Sequence, residues 1–268
     1  MKLNGKVVVI TGAGNGMGRQ MTLEALSRGA SVFGVDLKEE ALQETAKLAG
    51  SGAKFAYGVA NIADRERVAQ LPAEVEKALG AVDILVNNAG IIQPFVRVND
   101  LDFKDIDRVM AVNFNGPVNM VKAFLPHLLK RPAAQIANVS SMGAYAPVPG
   151  QTIYGASKAA VELFTQGLRS ELFDSNVKVT LIYPGAINTN IAGNSGIKME
   201  LPAGADASAM QQKTTPVETA GKIMINAIEN ELPRAFVGSD AAMLDKIARL
   251  MPVRVASIIY KQMKDLLG

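Results

Sequence analysis

Short runs rich in Val and Ile alternate with helix-spaced stretches along almost the whole chain, and few architectures accommodate that order. Lys6 to Ile10, Ser31 to Val35, Val82 to Val86, Gln135 to Val139 and Val177 to Tyr183 have the character of strands buried on both faces of a parallel sheet. Ala235 to Val237 adds a short final one. Between them, Gly16 to Arg28, Lys38 to Ala49, Asp64 to Leu79, Phe103 to Leu129, Tyr154 to Phe173 and Pro216 to Glu229 carry apolar residues three and four apart, with Gly29, Gly50 and Gly80 as stops. Right-handed crossovers then predict an α/β fold, a doubly wound and mostly parallel sheet of about seven strands with helices on both faces.

At 268 residues, 49% hydrophobic and 20% charged, the chain can bury the core of one such domain, residues 1–268. Residues 190–215 are too long an irregular stretch for a simple connection and are expected to form a substrate lid. Having no cysteine and one histidine, the chain cannot form disulfides or thiolate metal sites, and no metal is expected. A net charge of +3 from interspersed residues argues against nucleic acid as a partner. The first residues run into an apolar strand without a signal-like segment, and no apolar run approaches the roughly 20 residues that span a bilayer, so a soluble, cytoplasmic protein is expected.

Directly after the first strand stands Thr11-Gly12-Ala13-Gly14-Asn15-Gly16-Met17-Gly18, opening a helix. Gly12, Gly16 and Gly18 permit a tight turn and close backbone approach to a pyrophosphate on the helix N-terminus, as in a Rossmann-type site. Asp36 ends the second strand, where its carboxylate can accept from the adenosine ribose hydroxyls. A 2′-phosphate would meet like charge there, and neither Asn15 nor Leu37 supplies a cation, so NAD is expected over NADP.

These residues, together with Asn87-Asn88-Ala89-Gly90, Asn113, Ser141, Tyr154-x-x-x-Lys158 and Pro184-Gly185 followed by Thr189, resemble the short-chain dehydrogenase/reductases over nearly the whole chain up to Gly238. The resemblance implies a catalytic tetrad of Asn113, Ser141, Tyr154 and Lys158, with Asn113 positioning a water that relays protons to Lys158. Ser141 is preferred to Ser140 because family members place the serine about thirteen residues before the tyrosine. The resemblance also implies cofactor contacts from Asn15, Met17 and Leu37 around the glycine turn, from Asn88, Ala89 and Gly90 at the adenosine and ribose, from Ile187 and Thr189 at the carboxamide, and from Tyr154, Lys158, Pro184 and Gly185. Asn61, followed by Ile62, stands where family members carry an Asp that accepts from the adenine amino group. A homo-oligomer, dimer or tetramer, on the helices Phe103 to Leu129 and Tyr154 to Phe173 is implied too.

The chemistry of the tetrad has an independent rationale. Tyr154 and Lys158 lie four apart on one helix face. A free tyrosine titrates near pH 10, and a lysine cation about 4 Å away at an effective dielectric near 20 would favour phenolate by about 4 kcal/mol, roughly three pH units. The expectation is therefore a lowered Tyr154 pKa and a hydride transfer between nicotinamide and a carbonyl or alcohol, with Tyr154 as acid or base. Gln93 to Phe95, Met142 to Tyr145, Gln151, Ile191 and the segment from Ile197 to Met210 are mostly apolar, which points to a hydrophobic secondary alcohol or ketone, bulky ones included. A catalytically silent NAD sensor or scaffold, or an isomerase-like relative that retains its NAD, would share the fold. His127 and the Gly155-Ala156-Ser157 stretch do not make a hydrolase, because a nucleophile elbow must follow a strand.

Residues 240–268 continue past the family's usual stop as a C-terminal helical extension. Met243, Leu244, Ile247 and Leu250 line one apolar face, and Val255, Ile258, Ile259, Met263 and Leu266 the next. Cover for the body or a second subunit is the leading expectation. A pocket wall is the second and attachment to a membrane the least favoured.

Overall fold

The structure, a computed structural model, describes residues 1–197 and 214–263. Seven parallel strands form one sheet in the order β3-β2-β1-β4-β5-β6-β7. They are β1 (Val7–Thr11), β2 (Ser31–Asp36), β3 (Phe55–Val59), β4 (Ile84–Asn87), β5 (Ala134–Val139), β6 (Val177–Pro184) and β7 (Arg234–Val237). Alternation along β1 shows why such strands must be apolar throughout. Val8 and Ile10 pack into one layer with Met21, Leu42 and Met224, while Val7 and Val9 pack into the other with Leu71, Phe124 and Leu168. Each such side chain contributes about 1.5–3 kcal/mol on burial, so neither face of the sheet can be left to water.

On the first face lie α1 (Gly16–Ser27), α2 (Glu39–Ala49) and α8 (Val217–Glu229); on the second lie α3 (Arg65–Leu79), α4 (Phe103–Met110), α5 (Gly116–Leu128) and α6 (Thr152–Glu171). A short α7 (Ile191–Asn194) follows β6. The extension forms α9 (Ser239–Leu250) and α10 (Pro252–Met263). Among the described residues no helix is long and apolar enough to cross a membrane.

The structure corrects the sequence reading in three places. The strand Phe55–Val59 sits at the edge of the sheet, paired only with β2, and is half exposed, so it lacks the continuous apolar character of the others. The predicted long helix Phe103 to Leu129 is interrupted by a π-helical turn at Ala111–Asn115. In the extension, Leu244, Ile247, Val255, Ile259 and Met263 pack together against Tyr145 and Ala146, but Met243 and Leu250 are 58% and 82% exposed. Leu266 lies outside the described residues, as do residues 198–213 of the expected lid.

Candidate active site

The carboxyl ends of β1, β2, β4, β5 and β6 share one rim, and the sheet's strand order reverses between β1 and β4, where open α/β sheets leave a crevice. Gly12 and Gly16 hold positive φ angles of 71° and 51°. A Cβ on Gly18 would stand 2.0 Å from the Gly12 carbonyl oxygen, so only glycine lets α1 start this close to the turn. Asn15 caps α1 by accepting the Gly16 N–H at 2.7 Å. Met17 follows in the first turn, partly buried. Asp36 accepts N–H groups from Gly14 at 2.9 Å and from Lys38 at 3.2 Å, which fixes its carboxylate beside the glycine turn. Leu37 next to it is 65% exposed.

Thr11 joins the two halves of the crevice. Its hydroxyl accepts the N–H groups of Asn88 at 2.9 Å and Ala89 at 3.0 Å, and the Asn88 side chain donates to the Thr11 carbonyl at 2.9 Å. The Asn88 side-chain oxygen is buried and has no hydrogen-bond partner among the described residues. A glycine cradle at a helix N-terminus, a carboxylate ending β2 and an orphaned amide oxygen at the switch point fit the pyrophosphate and adenosine of a dinucleotide.

Further along the rim, Asn61 is exposed and its side-chain oxygen accepts the Ala63 N–H at 3.0 Å, leaving one lone pair to spare. Ile62 is buried against Gly116, and its carbonyl accepts from Asn119 at 3.0 Å. Pro184 ends β6. Gly185 donates to the Val237 carbonyl at 2.8 Å, and Ile187 forms a parallel bridge with Thr215. The Thr189 methyl lies 3.6 Å from where a Cβ on Gly16 would stand, so the strap after β6 meets the glycine turn across the crevice.

The four polar residues of the expected tetrad come from three places, the π turn, the end of β5 and the helix α6, and meet at the mouth of β4 and β5. Asn113 lies in the π turn, fully buried. It pairs with Ile91 in both directions, accepting its N–H at 2.8 Å and donating to its carbonyl at 2.9 Å, and donates to the Ser157 hydroxyl at 3.0 Å. A Cβ on Gly90 would stand 3.1 Å from Lys158 Nζ and 3.4 Å from Asn113 Oδ1, and one on Gly143 would stand 3.2 Å from the Tyr154 ring and 3.4 Å from Ser141 Oγ. Both glycines are thus packed flat against the polar cluster. Ser141 and Ser140 face different ways: Ser141 lies beside the Tyr154 ring across Gly143, its hydroxyl accepting the Gly143 N–H at 3.0 Å, while Ser140 is buried and donates to the Lys158 carbonyl at 2.8 Å.

Burial sets the charges of this pair. It pushes the Tyr154 phenol above its ordinary value, with the neighbouring Ser141 hydroxyl pulling the other way. It also lowers the Lys158 ammonium to about 8. Lys158 Nζ donates to the Val139 carbonyl at 3.0 Å. The expected lowering of the phenol by the lysine charge is therefore not met. The sequence argument counted the attraction between the charges but not the desolvation of both, which is the larger effect at a closed site.

Three supporting residues escaped the sequence reading. Gln93, taken only as a pocket wall, accepts the N–H groups of Ile153 and Tyr154 through its side-chain oxygen. Ser195 accepts the Ile92 N–H at 3.0 Å, and its carbonyl accepts from Arg108. Asp240 accepts the Ala186 N–H at 2.7 Å. Single polar residues far apart in sequence carry no spacing signal.

The sequence pattern of the short chain dehydrogenase family matches residues 6–200. This chain belongs to that family. The short-chain dehydrogenase is 36% identical to SadH of Mycobacterium tuberculosis over 252 residues, 92% of this chain and 91% of that one. Its fold resembles that of a short-chain dehydrogenase/reductase from Burkholderia phymatum in complex with NAD, with a TM-score of 0.82, 26% identity and 95% of each chain covered. It also resembles a short-chain dehydrogenase from Burkholderia cenocepacia in complex with NADP, with a TM-score of 0.79, 26% identity, and 98% and 99% of the two chains covered. The protein is an oxidoreductase of the short-chain dehydrogenase/reductase family with the seven-stranded fold of its members.

Proposed function

We propose that this dehydrogenase interconverts a hydrophobic secondary alcohol and its ketone with NAD(H), using Tyr154 as the proton-transfer group. The observation that carries the reading is the packing of the Tyr154 ring and the Ser141 hydroxyl together over Gly143, with the buried Lys158 over Gly90, at the rim where the glycine turn and Asp36 also lie. When bound, the dinucleotide supplies or accepts the hydride. Gly12, Gly16, Gly18 and the helix N-terminus hold its pyrophosphate, Asp36 its adenosine ribose, and Ile187 and Thr189 its carboxamide.

The protein's own part is placement and proton movement. In reduction the Tyr154 hydroxyl donates its proton to the substrate oxygen; in oxidation the phenolate takes it back. Ser141 holds that same oxygen and stabilises negative charge developing on it. Lys158 supplies positive charge next to the phenolate that remains, and Asn113 fixes the Gly90-Ile91 backbone against which Lys158 is packed. Asp36 disfavours a 2′-phosphate by like charge, which supports NAD over NADP.

The test is steady turnover, read as absorbance change of the nicotinamide, with a panel of secondary alcohols and of ketones. Turnover with free NAD(H) that is faster than with NADP(H) is the expected result. Tight NADH binding with no turnover of any substrate would favour a silent sensor on the same fold.

A further inference from the structure

The C-terminal extension meets the rim at one turn of helix, and it does so with two consecutive residues that reach in different directions. Asp240 accepts the backbone N–H of Ala186 at 2.7 Å, in the strap that follows β6. Ala241 offers its carbonyl to the Tyr145 hydroxyl at 2.8 Å, in the loop that follows Ser141. The strap is drawn so close that a Cβ on Gly185 would stand 2.2 Å from Asp240 Oδ1, and one on Gly238 2.3 Å from the same atom. The Thr215 backbone, one residue after the described chain resumes, donates to the Ala186 carbonyl at 2.8 Å and accepts the Asn188 N–H at 3.0 Å. Behind the Tyr145 side, Leu244, Ile247, Val255 and Ile259 pack on Tyr145 and Ala146. Arg234 pairs with Asp245 at 2.9 Å, anchoring α9 to β7.

We propose that Asp240 and Ala241 form a clasp that fixes the strap carrying Ile187 and Thr189 against the loop carrying Ser141, so that the extension sets the alignment of hydride and proton transfer without touching substrate. The proposal rests on the assignment of those two segments to the nicotinamide and to the substrate oxygen. The clasp works because a part-buried N–H and a part-buried hydroxyl both find partners in it, and leaving either unpaired there costs stability. Burial raises the Tyr145 phenol above its ordinary value, so it remains a donor across the working range of pH. Asp240 and Ala241 are positioning residues.

The experiment compares binding of NADH with that of ADP-ribose, which has the adenosine and pyrophosphate but no nicotinamide, in the full chain. Asp240→Ala is expected to weaken NADH by about tenfold and to leave ADP-ribose within about twofold, because only the strap loses its partner. Asp240→Asn, which keeps an acceptor oxygen for the Ala186 N–H, is expected to restore NADH binding to within about threefold of wild type. Equal weakening of both ligands, or no weakening of either, overturns the clasp. Should Asp240→Ala not fold, Tyr145→Phe decides. It removes one hydroxyl and is expected to lower kcat about tenfold with the KM for NADH unchanged, and an unchanged kcat overturns the proposal. A wild-type protein that binds ADP-ribose but not NADH removes the underlying nicotinamide assignment along with it.

Discussion

The side-chain oxygen of Gln93 accepts the backbone N–H of Tyr154 at 3.0 Å and that of Ile153 at 2.8 Å. Gln151, the residue before α6, provides no side-chain cap to its helix and instead donates to the Gln93 carbonyl at 2.7 Å. The helix that carries Tyr154 and Lys158 is thus capped from the loop after β4, 60 residues away in sequence. Gln93→Leu is expected to lower stability by about 1–2 kcal/mol, as loss of a helix cap does, and to lower kcat more than it changes KM. Thermal melts and steady-state kinetics check both parts.

Tyr154→Phe removes only the phenolic oxygen. Turnover is expected to fall by about 100-fold or more while NADH affinity stays nearly unchanged. Because burial holds the phenol above its ordinary value, reduction by the wild-type protein, which needs the protonated form, is expected to be flat around neutrality. Oxidation, which needs the phenolate, is expected to rise by up to about tenfold per pH unit on the alkaline side. A kcat profile in both directions reads this out.

Lys158 illustrates a stability cost at a functional position. Its folded pKa of about 8 lies below the unfolded value of 10.5, so between those limits the unfolded chain binds more protons and stability rises with pH. Below about pH 8 the full penalty of the buried cation is present. Lys158→Met is therefore expected to stabilise the fold at pH 7 by about 2 kcal/mol, the lost hydrogen bond to Val139 having been subtracted, and to lose that advantage towards pH 10. Melts at the two pH values measure the difference, and turnover should be abolished in the same variant.

The proposed NAD preference rests on the charge of Asp36. In Asp36→Ala the kcat/KM with NADH is expected to fall by about 10-fold to 100-fold, the worth of charge-assisted hydrogen bonds to the ribose, with a smaller change for NADPH. Ratios of kcat/KM for the two nucleotides in both proteins decide it.

The outer faces of α4 and α6 leave Phe103 82% and Leu163 71% exposed, with Phe173 just beyond α6 at 79%. We propose that a homo-oligomer covers them, since removing large apolar side chains from water is favourable. Leu163→Glu is expected to reduce the mass measured by light scattering at micromolar concentration towards that of one chain.

What the sequence determined by itself was the order of elements and the chemistry placed at their ends. Val/Ile runs that must be covered on both faces can only pair side by side with helices above and below, and that puts Gly12, Asp36, Asn88, Ser141 and Thr189 at the carboxyl ends of their strands or just beyond them. Tyr154 and Lys158 were legible as one helix face because their spacing is local. Only the tertiary structure decided what depends on contacts without a period. It showed Phe55–Val59 as an edge strand, turned Asn113 into a π turn paired with Ile91, and aimed Ser140 away from the phenol that Ser141 meets. It also made burial the main influence on Tyr154 and Lys158, since desolvation is set by everything packed around a group and no sequence spacing reports it. The Asp240 contact belongs to the same class: a carboxylate 54 residues from its partner becomes part of the rim only when β6 and β7 pair.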